Sequence, residues 1–318
     1  DPLLIEELKR RGVLWKAGRI THQYPHCWRC GTPLIYYART SWFIRTTAVR
    51  DAMLARNARV DWHPPFIGEG RFGEWLENNI DWAISRDRYW GTPLPVWLCD
   101  AEASHVECIG SFADLAERAG TVLPHDFDPH KPNVDHYTWR CREAGCAGTM
   151  RRAPEVIDTW YDSGSMSFAQ WHYPFENREQ LTEQFPADFI AEGVDQTRGW
   201  FYSLLAIATG LGDALPSNDA ASASPYRAVV VNDQVLDENG LKMSKSRGNI
   251  IDPWTVIPRH GVDAIRLFFV AASNVWVERR FDERVLVEQA GRFLRTFKNV
   301  YSGIFAQYAN FGWSPSEQ

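Results

Sequence analysis

Lys242-Met243-Ser244-Lys245-Ser246-Arg247 sets cations and hydroxyls side by side, and Gly248-Asn249 follows. A lysine ammonium is a mobile point charge that can track a moving phosphate. Hydroxyls beside it add donors for phosphate oxygens. A Lys-rich run taken alone is most often a solvated loop, so the surroundings must decide. A second set, Glu192-Gly193-Val194-Asp195-Gln196, offers carboxylates to an ammonium group or to ribose hydroxyls, with Gly193 allowing close backbone approach. Trp160 is most simply core, but beside a crevice it would wall a side-chain pocket. Cys27 and Cys30, followed by Gly31, form half of a tetrahedral zinc site. A redox dithiol is the competing reading; it usually opens a helix, whereas Thr32–Ile35 reads as a strand. Cys99, Cys108, Cys141 and Cys146 make a second metal set, although their spacings are wider than those of a compact zinc ribbon.

These groups need elements to hold them. Arg227–Val231 reads as a buried strand, Asp237–Gly240 as a turn, and Asp252-Pro253 as the cap and first residue of a helix. The cations therefore sit on a strand-to-helix loop. Asp188–Ala191 reads as a buried strand that exits at Glu192-Gly193 into an amphipathic helix over Gln196–Thr209. Glu192, Asp195 and Gln196 then face the crevice at the carboxyl ends of the strands. The run from Ala153 to Met166 reads as a strand feeding a turn. Further helices are expected over Pro2–Ala17, Ala48–Ala58, Gly68–Ile80 and Ser111–Ala119, and strands over Ile20–Tyr24 and Ser41–Ile44. Asp126–His136 reads as an irregular loop and Gly261–Phe269 as helix or strand. From Phe281 to Gly312, Val285, Val287, Ala290, Phe293, Leu294, Phe297, Val300, Tyr301 and Phe305 recur at helix spacing.

Length and charge bound what such a site belongs to. A chain of 318 residues predicts a main domain with satellites, and 45% apolar with 23% charged residues is ordinary globular composition. The formal charge of −6 excludes nucleic-acid binding through global positive charge and leaves room for a local basic groove. No apolar run reaches membrane-spanning length and no signal peptide opens the chain, so a cytoplasmic protein without membrane attachment is expected. That compartment favours metal over disulfides for the cysteines.

Lys-Met-Ser-Lys-Ser, between the acidic-glycine turn and Gly-Asn, resembles the ATP-binding signature loop of class I aminoacyl-tRNA synthetases. The resemblance implies ATP contacts from Lys242, Ser244, Lys245 and Ser246, with Lys245 the principal catalytic cation and Lys242 assisting it. Trp160-Tyr161-Asp162-Ser163-Gly164 is similar to a Trp-Phe-Asp-Ser-Gly segment of that family. Ile84-Ser85-Arg86-x-Arg88-Tyr89-Trp90-Gly91 is similar to the segment that returns an inserted domain to the catalytic core. There Arg86 and Arg88 are either contacts to the acceptor end of tRNA or structural salt-bridge partners. Glu192-Gly-x-Asp-Gln-x-Arg-Gly-Trp200-Phe resembles the isoleucine-specific form of the adenylate segment. By that resemblance Glu192, Gly193, Asp195 and Gln196 contact aminoacyl-adenylate, and Trp160 and Trp200 line the aliphatic pocket. The implied fold is α/β: the second half of a Rossmann-type nucleotide-binding fold, with a zinc-ribbon-like insertion and the start of a helical bundle. Expected domains are 1–50, the end of a connective or editing insertion with the Cys-x-x-Cys knuckle; 51–152, a connective segment with the zinc-type module; 153–280, the catalytic half; and 281–318, the start of an anticodon-binding bundle. Implied partners are isoleucine, ATP with Mg²⁺, and tRNA(Ile), with Zn²⁺ at the cysteines, in a monomer. The family's His-Ile-Gly-His signature has no counterpart here, so a fragment inactive alone is expected. A valine-specific synthetase and a noncatalytic RNA-binding relative are the alternatives.

Overall fold

The computed structural model describes residues 2–27, 30–216, 224–271 and 273–315, and of residue 246 the backbone alone. The chain divides into two compact units, Asp1–Ser41 and Trp42–Gln318. In the first, α1 (Pro2–Arg10) is shorter than the expected helix to Ala17, because Gly12 takes a left-handed φ of 70° and turns the chain. The expected strand over Ile20–Tyr24 does not form, and Thr32–Ile35 contributes only a bridge between His26 and Pro33.

The second unit is built on a three-stranded parallel sheet. After β1 (Phe43–Ile44) and α2 (Arg50–Asn57) comes β2 (Asp61–His63), then α3 (Gly73–Glu77) and the short strands β3 (Trp82–Ala83) and β4 (Ser85–Arg86). The excursion that follows folds as β5 (Val96–Cys99), β6 (Val106–Cys108), α4 (Phe112–Ala119), β7 (Trp139–Arg140) and β8 (Thr149–Arg152). Its sheet order is β6-β5-β8-β7. β9 (Val156–Ile157) pairs back antiparallel with β4, Ser85 against Ile157, and so closes the excursion at its root.

Helices α5 (Thr159–Gly164), α6 (Met166–Ala169) and α7 (Arg178–Gln184) lead to β10 (Ala187–Gly193), α8 (Trp200–Leu211) and β11 (Tyr226–Asn232). The expected turn after Ile157 is a helix, because the Asp158 side chain accepts from the Trp160 backbone N–H and caps it. The parallel sheet runs β10-β11-β2, with Gly193 opposite Asn232 and Val230 opposite His63. β11 is central, as its β-branched run requires. β10 differs from expectation: Ile190 is its one buried residue, while Phe189 is 65% exposed. The strand is a sheet edge.

α8 differs in the opposite sense. Phe201 to Thr209 are all buried, so this helix is apolar on every side instead of amphipathic. The core around it joins Trp62, Phe72, Leu76, Phe201, Leu205 and Val229. Where α5 crosses α8, a Cβ on Gly164 would stand 2.8 Å from the Ser203 backbone carbon, so no larger residue fits without moving a helix. Beyond the sheet, β12 (Val235–Leu236), α9 (Pro253–His260), α10 (Val262–Ala271), β13 (Arg279–Arg280), α11 (Glu283–Val300) and α12 (Ala306–Asn310) complete the unit. Phe268, Phe281, Leu286 and Ala290 form their core. Along α11 the expected apolar stripe is only half used, since Phe293 and Phe297 are exposed.

Candidate functional site

In a parallel sheet all strands deliver their carboxyl ends to one edge, and ligands bind beyond that edge. Gly193 and Asn232 are paired there. The residues at and beyond them are the ones whose side chains could do chemistry: Glu192 to Gln196, at the end of β10 and just past it, and the path through β12 to the lysine loop after β11. Glu192 and Asp195 are exposed and Gln196 is half-buried.

Residues 194–198 form a single 3-10 turn before α8. Gln196 serves this junction, its Oε1 accepting from the Trp200 backbone N–H at 2.9 Å and its Nε2 donating to Asp195 Oδ2 at 3.2 Å. It therefore satisfies a free helix-end donor while holding the neighbouring carboxylate. The backbone at Gly199 brings Trp160 in close: a Cβ there would lie 2.6 Å from Gln196 Oε1 and 3.1 Å from the Trp160 ring. The Trp200 indole N–H donates to the Ser163 carbonyl at 3.0 Å. The two expected pocket residues thus meet at the α5–α8 crossing, with Trp160 42% exposed and Trp200 half-buried. Asp158 fixes the other side. Its Oδ2 accepts from Arg86 Nη2 at 2.6 Å and Trp82 Nε1 at 3.1 Å while Oδ1 caps Trp160. Arg86 is accordingly a structural salt-bridge partner of Asp158.

The lysine loop is closed by a clasp at its base. Asp237 Oδ1 accepts from the backbone N–H groups of Asn239 and Leu241, at 3.0 and 2.8 Å, and Oδ2 accepts from Asn249 Nδ2 at 2.8 Å. Asn249 Oδ1 in turn accepts from the Ser244 N–H at 2.9 Å. Donation from Asn249 above all, and from those amides, holds the buried Asp237 carboxyl below its usual range. Lys242 and Lys245 are exposed, and neither ammonium has an ion-pair partner among the described residues. A pinned base with free cations at its tip suits a loop that closes on an anion. The Ser246 side chain lies outside the described residues.

The second cysteine set converges, with one exchange. Ligand atoms of Cys99, His105, Cys141 and Cys146 all lie within 4.8 Å of one another. Cys108 is not among them: at the end of β6 it pairs with Val96 of β5, and it is exposed. Cys99 lies three residues further along β5, where its N–H donates to the His105 carbonyl, so the hairpin delivers His105 to the cluster and leaves Cys108 about 10 Å along the strand. Burial acts to raise the Cys99 thiol, but the Ala101 and Glu102 amides and the neighbouring sulfurs bring it down to about 7. The Glu143 amide acts to lower Cys141, yet burial and the two sulfurs push it up to about 11. Three sulfurs and one imidazole nitrogen are a donor set that fits a tetrahedral Zn²⁺. In the first unit, the Cys30 thiol is lowered to about 7 by the Thr32 hydroxyl and amide and by Cys27; it brings two sulfurs and no further ligand among the described residues.

Comparison with known proteins places these features in a family. The sequence profile of tRNA synthetases class I (I, L, M and V) matches residues 7–282. The isoleucine–tRNA ligase of Clostridium novyi is 52% identical over 302 residues, 95% of this chain and 28% of that protein. That of Thermus thermophilus is 48% identical over 307 residues, 96% of this chain and 28% of that protein. The chain therefore spans less than a third of the length of these relatives. Among solved structures, an Agrobacterium radiobacter LeuRS in complex with tRNA and LeuAMS superposes with a TM-score of 0.53 at 21% identity, over 74% of this chain and 31% of that one. Methionyl-tRNA synthetase of Mycobacterium tuberculosis with methionyl-adenylate gives 0.52 at 18%, over 85% of this chain and 41% of that one. At these identities the likeness is one of fold.

Proposed function

The chain belongs to the class I tRNA synthetases for I, L, M and V, and on that premise we propose that it is part of an isoleucine–tRNA ligase, supplying the half of the active site that holds adenylate and triphosphate. The observation that carries the reading is the pairing of Gly193 with Asn232, which sends the carboxylate segment and the lysine loop out from one sheet edge. The names of the relatives at about half identity support isoleucine as the amino acid.

In the proposed reaction an isoleucine carboxylate oxygen attacks the α-phosphorus of ATP, the bond to the β-phosphate oxygen breaks, and pyrophosphate leaves. The acyl group then passes to a hydroxyl of tRNA(Ile), releasing AMP. No protein nucleophile is required, so this chain orients and neutralises. Lys245, assisted by Lys242, Ser244 and Ser246, meets the charge that develops on the phosphates. Glu192, Gly193, Asp195 and Gln196 hold the ammonium and ribose of the adenylate, and Trp160 and Trp200 bound the aliphatic side chain. Mg²⁺ bound with ATP would neutralise phosphate charge. Zn²⁺ fits Cys99, His105, Cys141 and Cys146, where it would fix the inserted module, and Cys27 with Cys30 supply half of another site. The division into 1–50, 51–152, 153–280 and 281–318, a monomeric state and a cytoplasmic location belong to the same proposal; no helix among the described residues is long and apolar enough to cross a membrane.

The test is amino-acid-dependent pyrophosphate exchange by the whole protein that contains this chain. Isoleucine should exceed valine in kcat/KM. A pocket that distinguishes one methylene supplies only about 1–3 kcal/mol, so roughly 10- to 200-fold is expected. Preference for valine would overturn the assignment.

A further inference from the structure

β2 runs parallel to β11, so the chain leaving it departs on the same side of the sheet as the carboxylate segment and the lysine loop. It enters a helical run, a π-helical turn over Ile67–Phe72 continued by α3. Phe72 and Leu76 of that run are fully buried in the core. Arg71, Trp75 and Asn79, each four residues from the next, instead meet the start of α8 and the turn before it. Arg71 Nε donates to Thr197 Oγ1 at 2.9 Å. The Arg198 guanidinium stands 5.3 Å from the centre of the Trp75 ring, and the Tyr202 hydroxyl donates to Asn79 Oδ1 at 2.7 Å.

Thr197 is fully buried and lies in the 3-10 turn directly after Asp195 and Gln196. Its hydroxyl donates to the Val194 carbonyl at 2.8 Å while it accepts from Arg71. One side chain therefore closes the turn on itself and ties it to a residue 126 positions earlier in the chain. Arg71 is exposed, and the packing of its helix is carried by Phe72 and Leu76. Fixing a long charged side chain costs rotamer entropy; what it secures here is the turn and not the core.

We propose, on the reading that the 194–198 turn binds the adenylate, that Arg71 is a positioning residue for that binding: through Thr197 it holds the turn in the conformation from which Asp195 and Gln196 reach the ammonium and ribose. Arg71 touches no reacting atom in this role. The lysine loop leaves from β11 by way of β12, so its phosphate contacts do not depend on this tie.

The test uses the whole protein that contains this chain, with active sites counted by titration. Two quantities are read: kcat of isoleucine-dependent pyrophosphate exchange per active site, and Ki of a non-hydrolysable isoleucyl-adenylate analogue. Arg71→Ala should raise Ki about tenfold with kcat per active site within about threefold of wild type, because a contact made alike in ground and transition states moves binding alone. A merely structural role would lower the count of active sites and leave Ki as it was. Arg71→Lys keeps a donor for Thr197 and should restore Ki to within about threefold of wild type. Thr197→Val removes the acceptor and should raise Ki as Arg71→Ala does; combining the two should add nothing, since they remove the two ends of one contact. Should Thr197→Val fail to fold, Arg71→Ala against Arg71→Lys decides. Gln196→Ala separates the two levels: an unchanged Ki there would overturn the adenylate reading of the turn, and the role of Arg71 with it. A raised Ki in Gln196→Ala beside an unchanged Ki in Arg71→Ala would overturn the positioning role alone. Effects of Arg71→Ala and Thr197→Val that multiply, or Arg71→Lys no better than Arg71→Ala, would do the same.

Discussion

At the scale of single residues, the assignments stand or fall on charge and on ligand identity. If Lys245 stabilises the departing pyrophosphate, Lys245→Ala in the whole protein should slow isoleucine-dependent exchange by at least ~100-fold while isoleucine binding is nearly kept, as for the loss of one transition-state donor. Exchange at the wild-type rate would remove that role. Zinc at the proposed Cys/His site gives a sharper contrast. Cys141→Ser and His105→Ala should each lose bound zinc, measured by metal analysis of the purified protein, whereas Cys108→Ser should retain it. The cysteines were visible in the sequence but the fourth member of the cluster, His105, was not. A search by cysteine spacing looks for a tight knuckle, while here the β5–β6 hairpin sets the partner, and its register puts His105 rather than Cys108 beside Cys99. His105, six residues after Cys99 and before Cys108, was the available signal.

At the scale of elements, the lysine loop shows how much of a site is its anchorage. Asp237 was legible as a turn residue; its bond to Asn249 across the loop was not, because the contact depends on the 3-10 turn at Lys245–Arg247 bringing the two ends together. The clasp predicts a pH dependence. The folded Asp237 carboxyl titrates below its unfolded value of about 4, so the unfolded state binds the extra proton first. Stability from this group is complete above about pH 4 and is lost as pH falls through the lower folded value. The stability gap between wild type and Asp237→Asn, followed by denaturant titration, should therefore shrink as pH drops below about 4. A gap that is constant with pH would mean the clasp does not carry the shift. Gly164 illustrates the same limit of local reading. Its small size is plain in the sequence, but the reason for it lies in how closely α8 crosses α5.

At the scale of the whole molecule, periodicity located most helices and the central strand, but it misjudged exposure. Phe189 looked buried and is exposed; the helix at Trp200–Leu211 looked amphipathic and is buried on all sides. Alternation reports a residue's neighbours along the chain, whereas burial here is set by a sheet whose strands are remote in sequence, and β2 was not anticipated at all. Leu205→Ala, at a fully buried position, should cost about 2–5 kcal/mol of unfolding free energy, and Phe189→Ala less than about 0.5 kcal/mol in this chain; equal losses would contradict the burial just described. The closure of the inserted module by β4 and β9 has a further consequence for synthesis. Everything that module needs, including Cys99, His105, Cys141 and Cys146, has left the ribosome by Ile157, whereas β2 must wait for β11. At about 5–20 residues per second, that interval is roughly 4–15 s. The module that holds the cysteine–histidine cluster can thus be complete while β2 still waits for β11, so the excursion is finished before the sheet pairing that it interrupts.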